Sequence, residues 1–225
     1  MNIPKRLTSN TPPFSFNNKL TNLSKSNFEI VISRYDEDIS WSNNYKHFRT
    51  IYNKGDDNIE KPYIKLENKG HLADTILRHI IINYDNLADV TFFTHGSFNY
   101  RGDQIIKEVG KCHRNFHDFI DIHPKTLVYI PRHDMFSPNE HHNNYYESCS
   151  DVYRYIFRSE YVANFKWACG KWISVSKERI RKTPIEVYKR MLEFVLKDYN
   201  NKEPTQEIYR TRGNYIEKFI LKCFI

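Results

Sequence analysis

The sequence predicts an α/β protein, a single domain whose sheet is joined by crossover helices. Three observations predict it. Short β-rich runs end in polar, Asp- and Gly-containing segments, and stretches with apolar residues at helical spacing lie between them. The order strand, strand, helix, strand at the start of the patterned region is the rhythm of a sheet with crossover helices. At 225 residues the chain is long enough for one such domain with a full core and short for two.

Residues 1–27 carry Lys5, Arg6, Lys19 and Lys25 and no acid, amid Ser, Thr, Asn and Pro. They read as a flexible basic arm preceding a domain over 28–225. From Phe28 the pattern is regular. Phe28 to Ser33 (FEIVIS) is a short buried strand, and Arg49 to Asn53 (RTIYN) a second, closed by Lys54-Gly55-Asp56-Asp57, a turn in which Gly55 is expected at positive φ. Ala73, Ile76, Leu77, Ile80, Ile81, Tyr84 and Leu87 recur at helical spacing. DVTFFTHG then reads as a strand stopped by Gly96.

Residues 104–120 suggest a further helix, weakened by Gly110, and Leu127 to Ile130 a short strand before Pro131. The polar, aromatic run from Pro131 to Ser148 is too long for a plain connector. Trp172 to Ser176 is another strand, and Thr183-Pro184-Ile185-Glu186 reads as a capping box opening a helix to about Tyr199. A last amphipathic helix, Asn214 to Phe224, turns Tyr215, Ile216, Phe219, Ile220 and Phe224 inward.

Composition bounds the function classes. Hydrophobic residues make up 40% and aromatics 15%, enough for a packed interior, so the low mean hydropathy of -0.70 reflects many Asn, Lys and Asp rather than disorder. A net charge of +7 suits a protein that meets phosphates. Acids are interspersed with the bases and no Arg/Lys block stands out, so no nucleic-acid partner is expected, although the charge and the basic arm keep a nucleic-acid-binding reading open. Cys112, Cys149, Cys169 and Cys223 lie far apart without CxxC or framework spacing, as reduced thiols would. No run approaches the length of a transmembrane segment and the N-terminus lacks the apolar core of a signal peptide, so a cytoplasmic protein is expected.

In an open α/β sheet, ligands sit beyond the carboxyl ends of the strands, where loops and helix N-termini converge. Three loops leave strands there: Ser33-Arg34-Tyr35-Asp36-Glu37-Asp38, Asn53-Lys54-Gly55-Asp56-Asp57, and the run from His95-Gly96 through Arg101 to Asp103. Arg34, Lys54 and Arg101 are candidate phosphate partners, and Asp36, Asp38, Asp56, Asp57 and Asp103 candidate ribose, sugar or metal partners. Of the first loop, Asp36 is expected at the pocket, and Glu37 and Asp38 at the opening of the next helix. His113 and His117 could share a helix face and bind zinc, but neither an intervening glutamate nor a third ligand accompanies them. His133 and the His141-His142 pair fall in the long polar run, as do Asp134, Glu140 and Glu147, any of which could act as a base.

Several of these segments resemble one family. They are Arg34-Tyr35 with Glu37-Asp38 and Trp41; Ile51 to Gly55; Asn68 and Gly70 ahead of Thr75 to Ile80; Asn83 to Leu87 leading to Thr91-Phe92-Phe93; Val175 to Ile180; and Glu217 in a C-terminal helix. Over about 28–225 the chain is similar to an uncharacterised α/β family whose pattern resembles small glycosyltransferases of the A-type fold, including ones encoded by large DNA viruses. The resemblance implies an A-type glycosyltransferase fold with a Rossmann-like mixed sheet flanked by helices, a nucleotide-sugar donor held by the half that the first strands form, and a glycan or related acceptor. Together with the strand-end loops, this makes Ser33, Arg34, Tyr35, Asp36, Asn53, Lys54, His95, Gly96 and Arg101 the expected donor contacts and Asp103 and Asp134 the expected catalytic carboxylates. Mn²⁺ or Mg²⁺ is the implied cofactor, with His95 and Asp103 standing where the family usually has Asp-x-Asp. That departure leaves room for a catalytically inactive member serving as an interaction module.

Overall fold

The computed structural model describes residues 28–97, 128–129, 148–162, 172–198 and 201–224. Six strands form one mixed sheet: β1 (Phe28–Arg34), β2 (Arg49–Asn53), β3 (Ile64–Lys65), β4 (Val90–His95), β5 (Val128–Tyr129) and β6 (Trp172–Ser176). Their order is β3-β2-β1-β4-β6-β5. The run β3-β2-β1-β4 is parallel throughout, and β6 is antiparallel to both its neighbours. Among the described residues five helices accompany them: α1 (His71–Ile82), α2 (Cys149–Phe157), α3 (Lys177–Lys182), α4 (Ile185–Leu196) and α5 (Gln206–Phe224). A 3₁₀ segment, Ser40–Phe48, joins β1 to β2 and is broken at Tyr45.

The period-two alternation of each strand divides the core. Val31, Tyr52, Phe93, Ile173 and Val175 point to one face, where they meet Leu72, Ile76 and Ile80 of α1, Tyr188 and Met191 of α4, and Ile216, Phe219 and Ile220 of α5. Ile30, Ile32, Ile51 and Phe92 point to the other, against Ile39, Tyr45 and Phe48 of the 3₁₀ region. The main helical layer therefore lies on the first face among the described residues.

The strand over 49–53 and the one over 172–176 fall where the sequence places them, and β1 extends one residue further, to Arg34. Helix boundaries differ more, for identifiable reasons. α1 starts at His71 and stops at Ile82, because Asn83 closes it with a backbone bond to the His79 carbonyl. Tyr84 thus lies beyond the helix, its hydroxyl donating to the Thr183 carbonyl at 2.8 Å. The expected capping box does not form: Pro184 occupies the N-cap of α4, and the Thr183 hydroxyl donates to the Cys223 carbonyl instead. Tertiary contact with α5 outcompetes the local cap.

α5 begins eight residues before Asn214 and passes through Gly213, a residue that ordinarily weakens a helix. Here a Cβ at 213 would lie 3.2 Å from the Gly70 carbonyl, so glycine lets α5 approach the start of α1. Gly70 itself sits at φ 62 with Val195 against it, where any side chain would be both strained and obstructed. α2 and β3 were not foreseen. The Ser148 hydroxyl caps α2 by accepting from the Asp151 amide at 3.1 Å. Among the described residues no helix is long and apolar enough to cross a membrane. The 1–27 arm, the 104–120 helix, His113, His117 and nearly all of 130–148 lie outside them.

Candidate functional site

The parallel run reverses direction of growth between β1 and β4: β2 and β3 extend one way from β1, β4 the other. That reversal is a topological switch point, the place where an open α/β sheet leaves a crevice at its carboxyl edge. Ser33 and His95 stand in register there, and the Gly96 amide donates to the Ser33 carbonyl at 2.9 Å, carrying the pairing past the strand end. Trp41, from the 3₁₀ segment, donates its indole N–H to the Gly96 carbonyl at 2.8 Å. A Cβ on Gly96 would come within 3.0 Å of Glu37, so glycine lets the β1 and β4 loops close on one another.

Arg34 organises the first two loops. It is 2% exposed, and its Nε donates to the Glu37 carbonyl at 3.1 Å. Nη1 reaches the Tyr35 carbonyl (2.8 Å), Asn53 Oδ1 (2.8 Å) and the Asp56 carbonyl (3.0 Å). Nη2 donates to Asn58 Oδ1 at 2.6 Å. A guanidinium has five N–H donors, so one Nη2 hydrogen is left for a ligand, too few for the two-pronged grip that arginine makes on phosphate. Asn53, fully buried, takes the Arg34 bond on its oxygen while its amide nitrogen donates to the Asp56 carbonyl at 2.9 Å.

Lys54 corrects the expectation of a second phosphate partner. Alternation turns it to the helical face, where Nζ donates to the Lys69 carbonyl (2.8 Å), the His71 carbonyl (2.6 Å) and Asp74 Oδ2 (2.8 Å). Those three bonds use all three ammonium hydrogens. Burial lowers its pKa, and the Asp74 carboxylate opposes that shift. The turn after it is also not as expected: of the described glycines only Gly70 has positive φ. Gly55 is required by close approach, since a Cβ there would collide with the Tyr35 carbonyl.

The remaining expected residues separate clearly. Ser33 is buried and its hydroxyl accepts from Thr75 at 3.0 Å, on the helical face and away from the edge. Tyr35, 49% exposed, and Asp36 stand open at the edge. Asp38 holds the start of the 3₁₀ segment, its two oxygens accepting from the Ser40 amide (2.8 Å) and hydroxyl (2.9 Å). Glu37 instead folds back onto the Tyr35 amide at 2.6 Å. His95 is half-buried at the end of β4. Arg101, Asp103 and Asp134 lie outside the described residues, among which no three His, Cys, Asp or Glu could together hold a metal ion.

Beside Arg34 the β1 loop, the 3₁₀ segment and the β2–β3 connection enclose an open groove of about 370 Å³. Asn43, Arg49, Asn58 and Ile59 line it together with Asp36 and Asp38. The first four were not singled out in the sequence, because no motif marks them and only the packing of the 3₁₀ segment on β2 brings them together. Both described cysteines are free thiols, and burial pushes the Cys223 thiol up to about 12.

The described residues form an α/β protein with one mixed sheet, and its groove lies beside the loop that follows β1. Over residues 30–218 the chain matches the family described as Protein of unknown function (DUF3431), and it belongs to that family. No curated protein and no solved structure matches it.

Proposed function

We propose that this protein is a glycosyltransferase of the A-type kind, transferring a sugar from a nucleoside-diphosphate-sugar to a glycan or related acceptor. The observation that carries the reading is the parallel β3-β2-β1-β4 run, whose switch point brings the Arg34-to-Asp38 loop and His95-Gly96 to one carboxyl edge. Beside that edge lies a groove of a size suited to a small molecule.

Glycosyl transfer from a diphosphate needs positive charge where the leaving phosphates gain negative charge, and a carboxylate near the acceptor hydroxyl. With Arg34 and Lys54 committed to protein acceptors, the proposal gives the first role to Arg101. A divalent cation held by His95 and Asp103 would add charge neutralisation there. Asp103 and Asp134 are its candidates for the carboxylate. A thermal-shift screen of uridine, guanosine and thymidine diphosphate sugars, with and without Mn²⁺, tests the reading, because a ligand that binds only the native state raises Tm. A rise with one donor is expected; no rise with any of them overturns it.

The involvement of Arg34 and Lys54 in internal bonds favours a second reading, an inactive member of the same fold that keeps only a binding role. It predicts a donor that raises Tm yet is neither transferred nor hydrolysed on prolonged incubation.

A further inference from the structure

We infer that the groove beside Arg34 binds an uncharged, hydroxyl-rich ring and not the phosphates of a ligand. This deepens the proposed function and rests on it only for the identity of the ring. Four carboxylates border the groove, Asp36, Glu37, Asp38 and Glu60, against the guanidiniums of Arg34 and Arg49. Arg34 has one N–H left after its protein bonds, and Arg49 Nη1 is held by Ser42 Oγ at 2.5 Å and Asn43 Oδ1 at 3.2 Å. Arg49 keeps its Nε and Nη2 hydrogens, but a phosphate there would still meet an excess of negative charge, four carboxylates against two guanidiniums and the Lys46 ammonium paired with Glu60.

A neutral polyol meets the opposite situation. Asn43 and Asn58 both turn their oxygens to guanidiniums, which leaves their amide N–H groups as donors. Asp36, exposed on the groove wall, has no hydrogen bond or ion pair among the described residues, so both its oxygens can accept from neighbouring hydroxyls. Ile59, partly exposed, supplies an apolar surface for the face of a ring. The volume, about 370 Å³, lies at the small end of the range for small-molecule sites. Donors, a two-oxygen acceptor and an apolar wall together recognise a ring carrying adjacent hydroxyls. A nucleoside's ribose and a sugar of the acceptor both have that chemistry.

Amide NMR titrations of the full chain with uridine, guanosine, methyl glucoside and inorganic pyrophosphate test the assignment. The expected result is movement of the Ser40, Asn43, Asn58 and Ile59 amides with at least one neutral ring and none with pyrophosphate. Response to a nucleoside places the donor's ribose there, and response to the glycoside places the acceptor. Asp36→Asn, at an exposed side chain without protein partners, should keep the wild-type Tm and weaken the responding ring by about tenfold, as losing a charged hydrogen-bond acceptor does. Unchanged affinity in that variant, movement with pyrophosphate, or no movement with any neutral ring overturns the assignment. A nucleotide sugar that raises Tm while neutral rings leave the groove unmoved would overturn this inference and leave the proposed function standing. Glycoside binding without any nucleotide-sugar effect would do the reverse.

Discussion

The two faces of the sheet use the same strands to different ends. On the helical face, α1, α4 and α5 build a deep core in which Phe219, Tyr215 and Phe194 pack edge to face or stacked, and even charges are buried, as Lys54 and Asp74 are at 2% and 1% side-chain exposure. On the 3₁₀ face the apolar cluster is smaller, and the residues that cap it keep some exposure, Phe48 at 8% and Ile39 at 7%, although Ile30, Ile32 and Phe92 beneath them are fully buried. Arg34, an immediate sequence neighbour of Ser33 and backbone partner of Lys54, points to this second face and organises loops there. Depth gives one face its stability, and shallowness leaves the other room for a groove. A cation at a strand end thus becomes a core ion pair or a loop organiser according to which way the pleat turns it.

Variants can break this contrast, and urea unfolding measures each. The largest loss is expected from Asp74→Ala, which leaves the Lys54 ammonium buried without its carboxylate: about 3–5 kcal/mol. Lys54→Met with Asp74→Leu should recover most of that loss, since an apolar pair of similar volume replaces a buried ion pair at little cost. Next come matched truncations. Phe219→Ala, in the deep core, should cost about 4 kcal/mol and Phe48→Ala about 2 kcal/mol; equal losses would erase the distinction between the faces. Gly55→Ala should cost about 1–3 kcal/mol, because the new methyl forces the Tyr35 carbonyl away. The same change should raise hydrogen exchange in the Tyr35-to-Asp38 loop. The smallest effect belongs to Lys46→Ala, which removes an exposed pair with Glu60 at 2.7 Å: under about 0.5 kcal/mol, and less at high salt.

Legibility of the chain followed the range of the forces involved. The strand Arg49 to Asn53 and the inward residues Tyr215, Ile216, Phe219, Ile220 and Phe224 were readable because each depends on local periodicity. The beginning of α5 was not, since Gly213 argues against a helix until Gly70 is seen beside it. Thr183 read as a cap for the same reason, its local partner being visible in sequence and its actual one, the Cys223 carbonyl, forty residues away. At the candidate site, Tyr35 and Asp36 lie exposed just past β1 and Asp38 accepts from Ser40 at the start of the next segment, whereas Glu37, expected beside Asp38, folds back onto the Tyr35 amide. Asn43, Arg49 and Asn58 carried no signal, because their meeting depends on how the 3₁₀ segment lies on β2.

By itself, then, the sequence determined the α/β class, the order of most elements and the strand ends at which loops gather, because hydrophobic period and turn chemistry act over a few residues. What those loop residues do depends on contacts the pattern does not show. The fold inserted β6 antiparallel between β4 and β5, and it assigned Arg34's guanidinium to five protein acceptors and Lys54's ammonium to three. Hydrogen-bond donors are satisfied by whichever acceptors the fold brings within 3 Å or so, and most of those acceptors, Asn53, Asp56 and Asn58 for Arg34 and Lys69, His71 and Asp74 for Lys54, come from other segments of the chain.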